Sequence, residues 1–152
     1  MIRAYVGVGA NLGDREASIA RALELLAAEP GVEVAAVSSL RETQPVGYLD
    51  QPPFLNGAAA LDTCLSPRAL LERLLAIEQA LGRRRQGPRF GPRVIDLDLL
   101  LYGDLAVDEP GLTVPHPRLS ERRFVLEPLS ELAPDLVVPG RGPLRDLLAA
   151  LD

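Results

Sequence analysis

Val94-Ile95-Asp96-Leu97-Asp98-Leu99-Leu100-Leu101 reads as a strand with two unlike faces. Side chains alternate along a strand, so Asp96 and Asp98 share one face while Leu97, Leu99 and Leu101 point the other way, into covering helices. Just upstream, Ser66-Pro67 is a helix start, with Ser as N-cap and Pro at the first helical position. Leu70, Leu74, Ile77 and Leu81 follow at i, i+4, i+7 and i+11, and Gly82 ends the helix. Residues 54–63 form another strand, as do residues 32–43 with Val32, Val34 and Val37. Further back, Asp14 caps a helix over 15–29 whose inner stripe is Ile19, Leu23 and Leu26, and Pro30-Gly31 stops it. Residues 2–9 alternate as the first strand. The order β-α-β-β-α-β is a ferredoxin-like α+β core: an antiparallel four-stranded sheet with both helices on one face. A helix over 120–132 and a short one near 143–151 add a C-terminal helical elaboration. Residues 1–152 read as a single domain, without repeats or a linker.

Composition excludes several classes of function. One cysteine (Cys64) makes no internal disulfide, and with a single histidine (His116) it leaves no structural zinc set. All 16 basic residues are arginine, which excludes a Schiff-base lysine and the lysine of a P-loop. No stretch approaches the ~20 apolar residues of a membrane span, and the first residues lack the pattern of a signal peptide. The chain is therefore expected to be cytoplasmic, with no membrane partner. A net charge of −5 argues against nucleic-acid binding. That charge is uneven: Arg83, Arg84, Arg85, Arg89 and Arg93 lie together without an acid, so this stretch carries +5 and the remainder −10. A basic pocket on an acidic protein suits a small polyanion.

An Asp-x-Asp pair on its own describes a solvated strand face as well as a metal site. Its neighbours sharpen the reading. Carboxylates that hold hard cations, set beside guanidinium forks that hold phosphate oxygens, are the parts of a polyphosphate-plus-magnesium site. His116 lies between Pro115 and Pro117, ahead of Arg118, Arg122 and Arg123, and reads either as a structural turn residue or as a phosphate donor. Phe54 and Asn56 share a strand face and, with Phe124, suit either a core or a pocket that stacks and reads a heterocycle. Gly7, Gly9 and Gly13 do not have dinucleotide-fingerprint spacing and are read as turn and packing residues. The proline-rich loop 44–53 and the arginine loop 83–93 are expected to close over substrates.

Gly91-Pro92-Arg93-Val94-Ile95-Asp96-Leu97-Asp98 and Val114-Pro115-His116-Pro117-Arg118, continuing to Glu121-Arg122-Arg123-Phe124, closely resemble the signatures of the 6-hydroxymethyl-7,8-dihydropterin pyrophosphokinases of folate biosynthesis. Gly9-Ala10-Asn11-Leu12-Gly13, Glu42-Thr43-Gln44-Pro45, Gln51-Pro52-Pro53-Phe54-Leu55-Asn56, and Ile77-Glu78 with Gly82-Arg83 match in the same order. The resemblance implies transfer of a pyrophosphoryl group from ATP to the pterin hydroxymethyl oxygen, releasing AMP. It implies two magnesium ions on Asp96 and Asp98, and catalytic arginines at Arg83 and Arg93. Arg85, Arg89, Arg93, Leu99, Thr113, His116 and Arg122 match ATP-binding positions. Thr43, Val46, Phe54, Asn56 and Phe124 match pterin-binding positions. Leu75 stands where some members carry glutamine, Phe90 where tryptophan is expected, and Phe54 where tyrosine is common.

The partners expected from the resemblance are ATP and the pterin, with the chain acting as a monomer. The alternative is a non-catalytic nucleotide- or pterin-binding regulatory domain of the same fold. An RNA-binding module would want aromatics and basic charge on the sheet face where the two aspartates lie.

Overall fold

The computed structural model describes residues 1–44, 50–82 and 94–151. The chain runs through β1 (Ile2–Ala10), α1 (Arg15–Ala27), β2 (Val32–Val37), β3 (Arg41–Thr43), β4 (Phe54–Thr63), α2 (Pro67–Ala80) and β5 (Asp96–Tyr102). Both long helices start as their sequences dictate. Asp14 Oδ1 accepts from Ala17 N at 3.1 Å and Ser66 Oγ from Ala69 N at 3.1 Å, each satisfying an amide that the first turn leaves open. The main sheet has the order β2-β4-β1-β5, with β3 also paired to β4, and every pairing is antiparallel. This is the ferredoxin-like arrangement expected from the element order. Ile19, Ala22 and Leu26 of α1 and Leu70, Leu74 and Ile77 of α2 pack with Val6, Val8, Leu61, Leu97 and Leu99 in one core.

The stretch expected to be a single strand over 32–43 is two strands. Ser38 makes both bonds that bend the chain: its N donates to Ala58 O and its Oγ accepts from Ala58 N, each at 2.9 Å. Gly57 lies under this bend, where an added Cβ would be 2.8 Å from Leu40 Cδ2. A glycine there lets Leu40 pack against the strand.

The expected inward direction of Leu101 is corrected too. The register passes from Val6–Leu99 to Tyr5–Leu101, so Leu100 is an extra residue in β5. A bulge of this kind breaks strict alternation. Leu97, Leu99 and Tyr102 therefore belong to the α1/α2 core, whereas Leu100 and Leu101 both join a second core on the opposite face.

The C-terminal third builds that second core. After the hairpin β6 (Val107–Glu109) and β7 (Leu112–Val114) come a 3-10 turn (Leu119–Glu121), α3 (Arg123–Leu132), the short pair β8 (Val137–Val138) and β9 (Gly142–Pro143), and α4 (Leu144–Ala149). Neither hairpin was expected from the sequence. The helix expected over 120–132 is broken at Arg122, whose extended backbone (φ −120, ψ 104) separates the 3-10 turn from α3. Leu119, Val125, Leu126, Leu129, Val138 and Leu144 close on Tyr5, Ala58, Ala60, Leu100 and Leu101. Fully burying each such leucine contributes about 1.5–3 kcal/mol. The sheet face carrying the aspartates is thus covered over the half beyond them. Among the described residues no helix is long and apolar enough to cross a membrane.

Candidate active site

Asp96 and Asp98 stand on β5 opposite Gly9 and Gly7 of β1, on the face turned away from Leu97 and Leu99. Both are half-buried. Because β5 is an edge strand, the Leu97 amide between them meets a side chain, and Glu78 Oε2 accepts from it at 2.7 Å. Burial, and then the Asp96 and Glu78 carboxylates, push the Asp98 carboxyl well above the usual carboxylate range, with Arg122 acting in the opposite direction. Such a group of carboxylates favours a bound cation. Among the described residues no cluster of three or more His, Cys, Asp or Glu is arranged to hold a metal by itself. Magnesium is commonly held by one or two carboxylates, with substrate phosphates and water completing its shell. The oxygen donors of Asp96 and Asp98 fit that ion.

Beside the aspartates opens a cavity of about 260 Å³, lined among others by Leu71, Leu75, Asp98, Leu99, Thr113 and His116. Three of the residues matched to ATP positions thus share one pocket with one of the two expected metal ligands. Its size is near the lower end of ligand cavities, which suits one ring system more than a whole nucleotide. His116 is held in the lining of this cavity. Its amide donates to Leu100 O at 2.9 Å, and its Nδ1 accepts from Arg118 N at 3.2 Å. In the neutral ring the hydrogen is therefore on Nε2. Burial and the neighbouring Arg122 depress the imidazole pKa to about 4; Arg141 and Arg118 act the same way and Asp96 opposes them. At neutral pH the ring is an uncharged N–H donor.

Thr43 pairs opposite Phe54, and Arg41 opposite Asn56, where β3 meets β4. Asn56 is buried and donates through Nδ2 to Thr43 Oγ1 at 2.5 Å. Its Oδ1 lies over Gly9, where an added Cβ would be 2.5 Å away, so Gly9 serves as a packing residue. Phe124, in the first turn of α3, packs on the second core but stays half-exposed, and Phe54 is half-exposed as well. The Arg122 guanidinium lies 5.5 Å from the centre of the Phe124 ring. Arg122 thus sits at a junction, stacked on Phe124 while its charge bears on Asp98 and His116.

The expectations for Arg83, Arg84, Arg85, Arg89, Phe90, Arg93 and Val46 fall outside the described residues. Two further residues, Glu78 and Asn11, are brought to the site. Glu78 pins the strand between the aspartates; its signal was an acid four residues after Leu74, inside an apolar helix stripe. Asn11, also buried, donates to Gln51 Oε1 at 2.8 Å and Pro52 O at 2.9 Å, tying the end of β1 to the approach to Phe54.

The sequence model of 7,8-dihydro-6-hydroxymethylpterin-pyrophosphokinase matches residues 5–134. The 2-amino-4-hydroxy-6-hydroxymethyldihydropteridine pyrophosphokinase of Methylorubrum extorquens is 52% identical over 152 residues, covering 100% of this chain and 95% of that protein. The protein of the same name from Pseudomonas aeruginosa is 48% identical over 148 residues, with 97% and 91% covered. Among solved structures, Plasmodium falciparum HPPK-DHPS with pteroate matches with a TM-score of 0.76 at 13% identity, over 98% of this chain and 42% of that one, a likeness of fold. The chain belongs to the 7,8-dihydro-6-hydroxymethylpterin-pyrophosphokinase family.

Proposed function

We propose that this chain transfers pyrophosphate from ATP to the hydroxymethyl group of 6-hydroxymethyl-7,8-dihydropterin, giving the pterin diphosphate and AMP, in folate biosynthesis. The observation that carries the reading is the Asp96–Asp98 pair. Its crowded carboxylates call for cations, and it stands between a ring-sized cavity and the Thr43–Asn56 face. Asp96 and Asp98 would hold two magnesium ions. Bound there, magnesium supplies charge neutralisation along the triphosphate.

The remaining work falls to the chain. Leu99 and Thr113 line the cavity that takes the adenosine end. His116 offers its Nε2–H, and Arg122 its fork, to phosphate oxygens. Thr43 and Asn56 carry the polar groups that read the edge of the pterin, with Phe54 and Phe124 for its faces. The hydroxyl oxygen attacks the β-phosphorus: a new O–P bond forms, the bond from the β-phosphorus to the α–β bridging oxygen breaks with its electron pair staying on AMP, which leaves, and the hydroxyl proton passes to solvent. Holding these two atoms in line is the main demand of phosphoryl-type transfer. Arg83 and Arg93 are proposed to absorb charge on the transferred group. Arg85 and Arg89 are assigned to ATP, and Val46 to the pterin, by family resemblance.

The test is turnover with ATP, magnesium and the pterin, against controls lacking each. Product that requires all three supports an enzyme. Tight binding of ATP and pterin without turnover would support a regulatory binding domain instead.

A further inference from the structure

A polar cluster outside the residues assigned above joins segments about 90 positions apart. Glu131 of α3 accepts from Ser39 N and Ser39 Oγ, each at 2.6 Å, and from Arg41 Nη2 at 3.1 Å. Arg41 Nη1 lies 3.9 Å from Glu127 Oε2, one turn earlier on the same helix. Glu127 also faces Arg123 at 3.6 Å. The Ser39 bonds, with Arg41, hold the Glu131 carboxyl below its ordinary range, consistent with an ionised acceptor.

The cluster spans both walls of the proposed pterin site. On one side, Arg41 pairs opposite Asn56 on the strand register, and Thr43 follows two residues later on the same face. On the other, Phe124, Glu127 and Glu131 fall at i, i+3 and i+7, one side of a helix. The polar wall (Thr43, Asn56) and the aromatic residue Phe124 are thus on separate elements. The carboxylate of Glu131 bonds the strand element to α3. A stacked ring is sensitive to that spacing, because a gap of about 0.5–1 Å forfeits a quarter to a half of each contact's attraction.

We propose that Ser39, Arg41 and Glu131 form a clamp that sets the spacing between the two walls of the pterin site, making Arg41 and Glu131 positioning residues for that substrate. The inference rests on the pterin assignment of Thr43, Asn56 and Phe124. An ordinary exposed ion pair would add little. This one carries three hydrogen bonds on a single carboxylate and fixes two elements with no covalent proximity.

Glu131→Gln and Arg41→Met, with Asn56→Ala as reference, are assayed in the full chain for KM of each substrate and for kcat, with pterin affinity from direct titration and folding from thermal melts. The clamp variants should raise the KM and Kd for pterin roughly fivefold or more. Their kcat at saturating pterin and their KM for ATP should move less than about twofold. The double variant should lose less than the sum of the two single losses, since both weaken the Arg41–Glu131 contact. If Asn56→Ala weakens pterin binding and the clamp variants do not, the clamp is overturned and the pterin assignment stands. If Asn56→Ala also binds pterin normally, the assignment falls and the clamp with it. Equal losses for ATP and pterin, with a lowered melting temperature, would show a purely structural role and overturn the clamp.

Discussion

Asp98 is held in a setting that works against its own charge. Half-buried beside Asp96 and Glu78, its carboxyl is pushed well above the ordinary range. The folded chain therefore binds a proton there more tightly than the unfolded chain does. The stability this contributes is present below the unfolded pKa and is lost as pH rises through the folded value. Once ionised without a metal, Asp98 is a liability, and its proposed purpose is to meet a cation. Asp98→Asn should then raise the melting temperature of the metal-free protein, by about 2–4 °C for each kcal/mol regained, while cutting turnover by roughly a hundredfold or more. A thermal melt and a turnover assay on one preparation check both halves; near-normal turnover at saturating magnesium would contradict the metal assignment. His116 makes the opposite statement. Its pKa near 4 lies below the unfolded value, so its contribution is present above about pH 6.5 and lost as pH falls toward 4. As the single histidine of the chain, its imidazole resonances can be followed by NMR without assignment work. A midpoint near 4 is expected, and one near 6.5 would contradict the buried, neutral donor.

At the scale of elements, α3 delivers the most. Its N-terminus presents Arg122 and Phe124, and its C-terminal half carries Glu127 and Glu131. Phe124→Ala should weaken pterin binding by roughly 1–3 kcal/mol, the value of one stacking face, with a much smaller change for ATP. Separate titrations of the two ligands check this, and equal losses would show a damaged fold. What the sequence revealed at this scale was what local chemistry decides. Asp14 and Ser66 announce their helices because an N-cap bonds within three residues. The split between β2 and β3 was hidden because the partners of Ser38 and Ser39 are Ala58 and Glu131, far along the chain. The bulge at Leu100 was hidden for a related reason. Three consecutive leucines satisfy either face, and only the register against β1 says which faces the helices.

Over the whole molecule, the sheet works as a partition. One face is sealed by α1 and α2; the other is sealed at one end by the C-terminal third and carries the aspartates beyond it. The candidate site was legible where it consists of residues that stand out by type, such as two acids in a leucine strand or a histidine between prolines. Glu78 was not, because its role comes from an edge-strand amide that only the folded sheet exposes to it. The same architecture sets the cavity lined by Leu99, Thr113 and His116 and the Thr43–Asn56 face on either side of Asp96 and Asp98. In the proposed reaction the acceptor hydroxyl meets the β-phosphorus and the adenosine side keeps the leaving group. The nucleotide products formed from ATP, magnesium and 6-hydroxymethyl-7,8-dihydropterin test this most directly. AMP is expected, one for one with pterin diphosphate; ADP with a pterin monophosphate would contradict attack at the β-phosphorus.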